Sequence, residues 1–161
     1  MPLPAVAQVE EADMLRAAFV YNFAKYVEWP KPIYGGAQFE LCLSGSDSVI
    51  EALQRLKGQS VQQRKVTTRV LHFGDDYNGC QLLFVGRSEE SRLKSLLANL
   101  KNMPMLTISN IPGFAKSGGM IELFREKKKL RFAINLDAAQ NSGLSISSRL
   151  LKLARIVGDK R

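Results

Sequence analysis

Residues 80–86, CQLLFVG, form an apolar run closed by a glycine. A strand exposed on one face alternates apolar and polar side chains. A run without that alternation belongs to a strand covered on both faces. Residues 39–45, FELCLSG, repeat the pattern. Between and after these runs lie segments of a different period. SDSVIEALQRLKG (46–58) reads as a helix capped by Ser46 or Asp47 and stopped by Gly58. SEESRLKSLLANLKN (88–102) reads as a second helix, with Ser88 as its cap and Glu89 and Glu90 in its first turn. VTTRVLHF (66–73) and MLTISN (105–110) read as further strands.

The remaining segments complete the pattern. EEADMLRAAFVYNFAKYVEWP (10–30) is an amphipathic helix with Leu15, Ala18, Phe19, Asn22, Phe23, Tyr26 and Val27 on its expected inner face, ended by Pro30. MIELFREKKKLRFAINL (120–136) is a hairpin of strands 120–125 and 130–135 around a charged turn, Glu126 to Lys129. NSGLSISSRLLKLARIV (141–157) closes the chain with a helix expected from about Ser147. The fold class is α/β: a three-layer α/β/α sandwich with a mixed, largely parallel sheet and a late antiparallel hairpin.

The 161 residues suit one domain, expected over 11–158, with residues 1–10 before it and a basic tail, 159–161, after it. Such a length buries a core without metal or disulfide staples. No apolar run reaches the roughly 18 residues of a membrane-spanning helix. The net charge of +8 suits either an anionic partner or simple solubility. Ala5-Val6-Ala7 before Gln8 fits the small-x-small pattern of a signal-peptidase site.

Several residues carry chemistry on paper. Cys42 and Cys80 are the two cysteines, at comparable places in two β elements. They suit a bridge between adjacent strands, or two buried free thiols. With one histidine they are too few for a zinc site. His72 as base to a Cys80 nucleophile, oriented by Asp75 or Asp76, is a second reading, but no local hydrolase signature accompanies it. GFAKSGGM (113–120) resembles a phosphate loop in composition. It leads into a strand rather than a helix, so Gly118-Gly119 is better read as a permissive turn. REKKKLR (125–131) offers phosphate contacts, yet lacks an aromatic platform for nucleic-acid bases and reads as a solvated hairpin tip.

AAFVYNFAKYVEWP, FELCLSG, CQLLFVG, LTISN with GFAKSGGMIELF, and LRFAINLDAAQNSGLSISSRLLKLARIV, taken in order from Leu15 to Val157, resemble the YfiR family. The resemblance implies a non-catalytic periplasmic regulator, exported by a cleaved signal peptide, with an α/β/α fold and a homodimeric state. It implies binding to the periplasmic domain of an inner-membrane diguanylate cyclase, YfiN, which is held inactive. It implies sequestration by an outer-membrane lipoprotein, YfiB, and an output in cyclic di-GMP and biofilm. Cofactors, metals and nucleic acid are not implied. Cys42 and Cys80 fall where the family pairs its cysteines, so the resemblance implies a disulfide in an oxidising compartment. A second cysteine pair of the best-known member, near GFAKSGGMIELF, has no counterpart here.

The receptor contact is expected on the 111–124 loop and strand, at Phe114, Met120, Ile121 and Phe124, together with Trp29 and Lys31 after the first helix. The alternative function is a small-ligand sensor acting on another membrane receptor, such as a sensor kinase. Its pocket is expected between the first helix and the 111–120 loop.

Overall fold

The two apolar runs lie side by side at the centre of a mixed sheet. The structure is a computed structural model that describes residues 9–30, 38–72 and 74–157. Residues 1–8, where a signal-peptidase site was expected, Lys31 and the tail 159–161 lie outside the described residues. The run from 39 becomes β2 (Gln38–Ser44) once α1 (Glu11–Lys25) and a short β1 (Val27–Glu28) have been passed. Then come α2 (Ser48–Gln54), β3 (Ser60–Val61), β4 (Arg64–Leu71), and β5 (Leu82–Val85) from the second run. A 3-10 segment, Arg87–Arg92, leads into α3 (Leu93–Leu100) and β6 (Leu106–Ser109). The chain ends with β7 (Ile121–Glu126), β8 (Lys129–Asn135), α4 (Leu136–Asn141), β9 (Ser145–Ile146), α5 (Ser148–Leu151) and β10 (Arg155–Val157).

Among the described residues, eight strands pair in the order β10-β8-β7-β6-β5-β2-β4-β3. The pairs β7–β8 and β4–β3 are antiparallel and the others parallel. β1 pairs separately with β9. The strand period of two sends alternate side chains to opposite faces. Leu41, Leu43, Leu82 and Phe84 join the larger core, with Val20 and Phe23 of α1 and Leu53 of α2. Cys42, Leu83 and Val85 join the smaller core beneath Leu93, Leu96 and Leu100 of α3. This is the expected α/β/α sandwich with its mixed, largely parallel sheet and late hairpin.

Three local expectations are corrected. The inner face of α1 is Ala17, Val20, Phe23 and Ala24, while Leu15 is 48% exposed. The last segment is the four-residue α5 followed by strand β10, which pairs in parallel with β8 and leaves Leu153 exposed. A helix continued through 157 would leave β8 without that neighbour's backbone hydrogen bonds. Ser88 does not cap a helix: its hydroxyl accepts from the Ser46 N–H at 2.9 Å, and its own N–H donates to Asp47 at 3.1 Å. The loops after β2 and β5 are thereby clasped together where the strand order reverses, the usual ligand crevice of an open α/β sheet. A β-carbon on Gly86 would stand 2.5 Å from the Asp47 carboxylate, so the crevice is filled by the protein's own side chain.

Asp13, buried in the first turn of α1, accepts from Ser48 at the start of α2 at 2.6 Å and pairs with Arg16 at 2.9 Å. The carboxylate thus joins the N-terminal ends of two neighbouring helices, where negative charge is stabilised.

Candidate functional site

Cys42 and Cys80 form a disulfide with α-carbons 5.8 Å apart. It joins β2 to the segment entering β5, and both cysteines are buried. The sulfur that a nucleophilic mechanism would use is thus covalently committed. Asp75 does not orient an imidazole either: its carboxylate accepts from the His72 backbone N–H at 2.7 Å, closing a tight turn. Arg69 packs beside the bridge. Its guanidinium donates to the carbonyls of Asp76 and Asn78 and pairs with Glu40 at 3.2 Å. It therefore holds the 74–80 loop against the sheet.

Trp29 belongs to this assembly and not to the surface. Its indole N–H donates to the Gln81 carbonyl at 2.8 Å, and its ring packs edge-on against Phe39. The Gln81 side chain in turn accepts from the Glu40 backbone N–H. A tryptophan that buries its ring needs a partner for its one N–H, and the residue after Cys80 supplies it.

The 111–119 loop binds a carboxylate of its own chain. Glu122 accepts from the N–H groups of Gly113 and Ala115 at 3.1 and 3.0 Å. These are the donors a phosphate would need, and the chain's own carboxylate takes them. Asn135 donates to the Ala115 carbonyl at 2.8 Å and ties the loop to the end of β8. Gly118 has φ +119°, as a permissive turn requires, but Gly119 is needed for space: a β-carbon there would overlap the Phe114 ring.

Four of the residues expected to contact a receptor are therefore core. Trp29, Phe114, Met120 and Ile121 are all at most 5% exposed, because their rings and aliphatic chains fill the layers on either side of the sheet. In this conformation they present no patch. Phe124 stays half-buried at the surface beneath the Arg155 guanidinium, 4.7 Å above its ring.

Two features were not anticipated. The outward side of α1 carries Met14, Leu15, Ala18 and Tyr26, all exposed. The helix is apolar on two sides, and an inward stripe at Ala17, Val20, Phe23 and Ala24 leaves these four as surplus. The surplus itself was the available signal. The second feature is a cleft of about 880 Å³ between α3, the 111–118 loop and α4. Leu97, Ile111 and Met120 line it, with Lys94, Lys101 and Asp137 among its polar groups. It lies with α3 and α4, not between α1 and the loop as expected.

No helix of the described residues is long and apolar enough to cross a membrane. A crystal structure of an ABC domain in complex with L-Trp from Streptococcus pneumonia is similar in fold, with a TM-score of 0.55 and 10% identity. The likeness covers 74% of this chain and 56% of that one, so this chain spans little more than half of that structure's length. The family model described as YfiR/HmsC-like matches residues 13–155, from the buried Asp13 of α1 to the first residue of β10. The match takes in the other seven strands of the sheet, the disulfide and the 111–119 loop, and the chain belongs to the YfiR/HmsC-like family.

Proposed function

We propose that this protein is a periplasmic regulator that binds and inhibits the periplasmic domain of an inner-membrane diguanylate cyclase, lowering cyclic di-GMP and biofilm formation. The family match over residues 13–155 is the observation that carries this reading. A disulfide between Cys42 and Cys80 agrees with an oxidising compartment. Inhibition is a matter of differential affinity: the regulator must bind the inactive state of the cyclase more tightly than the active one. Moving a cyclase from almost wholly on to almost wholly off takes a preference on the order of 10⁴. Release follows when a competing outer-membrane lipoprotein of the YfiB kind captures the regulator, which acts as a homodimer.

The exposed residues Met14, Leu15, Ala18 and Tyr26 form the apolar surface we assign to the receptor; Phe124 lies on the opposite face of the sheet from α1, beneath Arg155, and is not part of it. Met14 and Leu15 are about half exposed, and large apolar side chains left exposed on one side of a helix are candidates for an interaction surface. The test is cyclic di-GMP synthesis by a membrane-reconstituted cyclase, with the protein added on the side of its periplasmic domain. Synthesis falls as the protein is titrated; an unchanged rate at saturating protein rejects the proposal.

The cleft between α3 and α4 favours a second reading, a sensor whose ligand tunes affinity for a membrane receptor such as a sensor kinase. Its mixed lining of apolar, polar and charged residues suits an amphipathic small molecule. A thermal-shift screen of periplasmic metabolites tests it, with Leu97→Trp, at a half-buried residue of the cleft lining, as the variant that fills the cleft. Stabilisation of the native protein but not the variant supports this reading, and no stabilisation by any metabolite rejects it.

A further inference from the structure

The β7–β8 hairpin tip has a composition that neither the fold nor the receptor stripe uses. Arg125, Lys127, Lys128, Lys129 and Arg131 are all exposed, with Glu126 as the one acid among them. That carboxylate is taken by two arginines, Arg131 at 3.2 Å and Arg155 of β10 at 2.9 Å. The two ion pairs draw the start of β10 against the hairpin and leave the three lysines without a countercharge from Glu126. Leu153 and Ile156, on either side of Arg155 in sequence, are 68% and 43% exposed. The corner is therefore strongly basic and bordered by aliphatic side chains.

The turn residues reinforce the point. Lys127 and Lys128 sit at φ +51° and +70°, the two central positions of a tight hairpin. Asn-Gly suits such positions far better than two lysines. Local structure is thus given up for charge, a departure expected where a segment has a task beyond folding.

We propose that this corner docks on the surface of an anionic lipid bilayer. Lysines are compact, hydrated point charges on flexible stems, suited to a fluid layer of headgroups. Recognition of one protein surface favours aromatic and arginine anchors in pockets. Here two arginines of the corner, Arg131 and Arg155, are occupied by Glu126, and the Phe124 ring is covered by Arg155. The covered ring also removes a stacking platform for nucleic-acid bases. Leu153, 68% exposed two residues before Arg155, offers an aliphatic side chain to the headgroup layer, as the apolar side of an interfacial segment does. The inference does not rest on the receptor reading, because a lipid vesicle contains no receptor.

The test is co-sedimentation of the purified protein with vesicles of phosphatidylethanolamine and phosphatidylglycerol at 70:30, and with pure phosphatidylcholine vesicles. Binding to the anionic vesicles alone, lost in high salt, is expected. The triple variant K127N/K128G/K129Q removes the charge and installs the residues the turn prefers, so it folds. Its partition onto anionic vesicles falls on the order of a hundredfold. Leu153→Ser weakens binding less. Equal binding to both vesicle types, no binding to either, or an unchanged triple variant overturns the proposal. Capture by polyglutamate or duplex DNA without any vesicle binding overturns it too, in favour of those partners.

Discussion

The ring of Phe114 fills the space that a β-carbon on Gly119 would need. The contact closes the 111–119 loop upon itself and makes the loop part of the core. Gly119→Ala is expected to destabilise the protein by about 1–3 kcal/mol through overpacking. Phe114→Ala costs about 3–5 kcal/mol through the cavity it leaves. Urea unfolding of both variants and their double mutant checks the pair: the cost of Gly119→Ala shrinks once the ring is gone. Simple additivity would show that the two residues do not compete for space.

Removing the disulfide lengthens the search of the unfolded chain. Cys42 and Cys80 are 38 residues apart in sequence. The chain-entropy model gives the bridge about 4 kcal/mol. The double variant C42A/C80A is expected to lose about that much, measured by urea unfolding, and to become insensitive to reductant. The native protein shifts toward the variant's midpoint when reduced. A reductant-independent native midpoint would mean that the bridge carries no stability.

The two sides of α1 are expected to respond differently. Phe23 is buried against Phe132, while Leu15 is exposed. Phe23→Ala costs about 3–5 kcal/mol. Leu15→Ser stays within about 0.5 kcal/mol, as surface changes do. Similar losses at the two positions would rotate the helix away from the face described.

Burial pushes the Tyr77 hydroxyl above its ordinary value of 10.0, and the Arg92 charge offsets this only in part. The folded state then keeps a proton that the unfolded chain has given up. The resulting stability is fully present below pH 10 and is lost as pH rises through the folded-state value. Urea midpoints between pH 8 and 11 are expected to fall less steeply above pH 10 in Tyr77→Phe. An unchanged slope would remove Tyr77 from the alkaline transition.

The central strands were legible because burial on both faces leaves a plain mark, and FELCLSG and CQLLFVG carry it. The hairpin was legible from its alternation and its charged turn. The face of α1 was not, because two apolar stripes overlap and helical period alone does not rank them. β10 was missed for a related reason: Leu150, Leu151, Leu153 and Ala154 mimic a helix, and pairing with β8 overrides that signal. The two-residue β3 joins β4 through Gln62 and Gln63, both at positive φ, where no glycine or asparagine announces a turn. The six-residue α4 is too short to show a period. At the candidate site the cysteine pair was visible in the sequence. The burial of Phe114, Met120 and Ile121 was not legible, because such residues look the same whether they fill a core or coat a surface. Only the sheet and the Glu122-bound loop decide which.

Calorimetric titration of the protein into the isolated periplasmic domain of an inner-membrane diguanylate cyclase tests the central claim most directly. The native protein and the variants Leu15→Asp and Tyr26→Asp, each checked for an unchanged melting temperature, are compared. Saturable binding by the native protein, weakened at least tenfold in both variants, is the predicted result. Absence of binding by the native protein would contradict the regulatory assignment. Full-strength binding by both variants would contradict the assignment of the α1 stripe as the receptor surface.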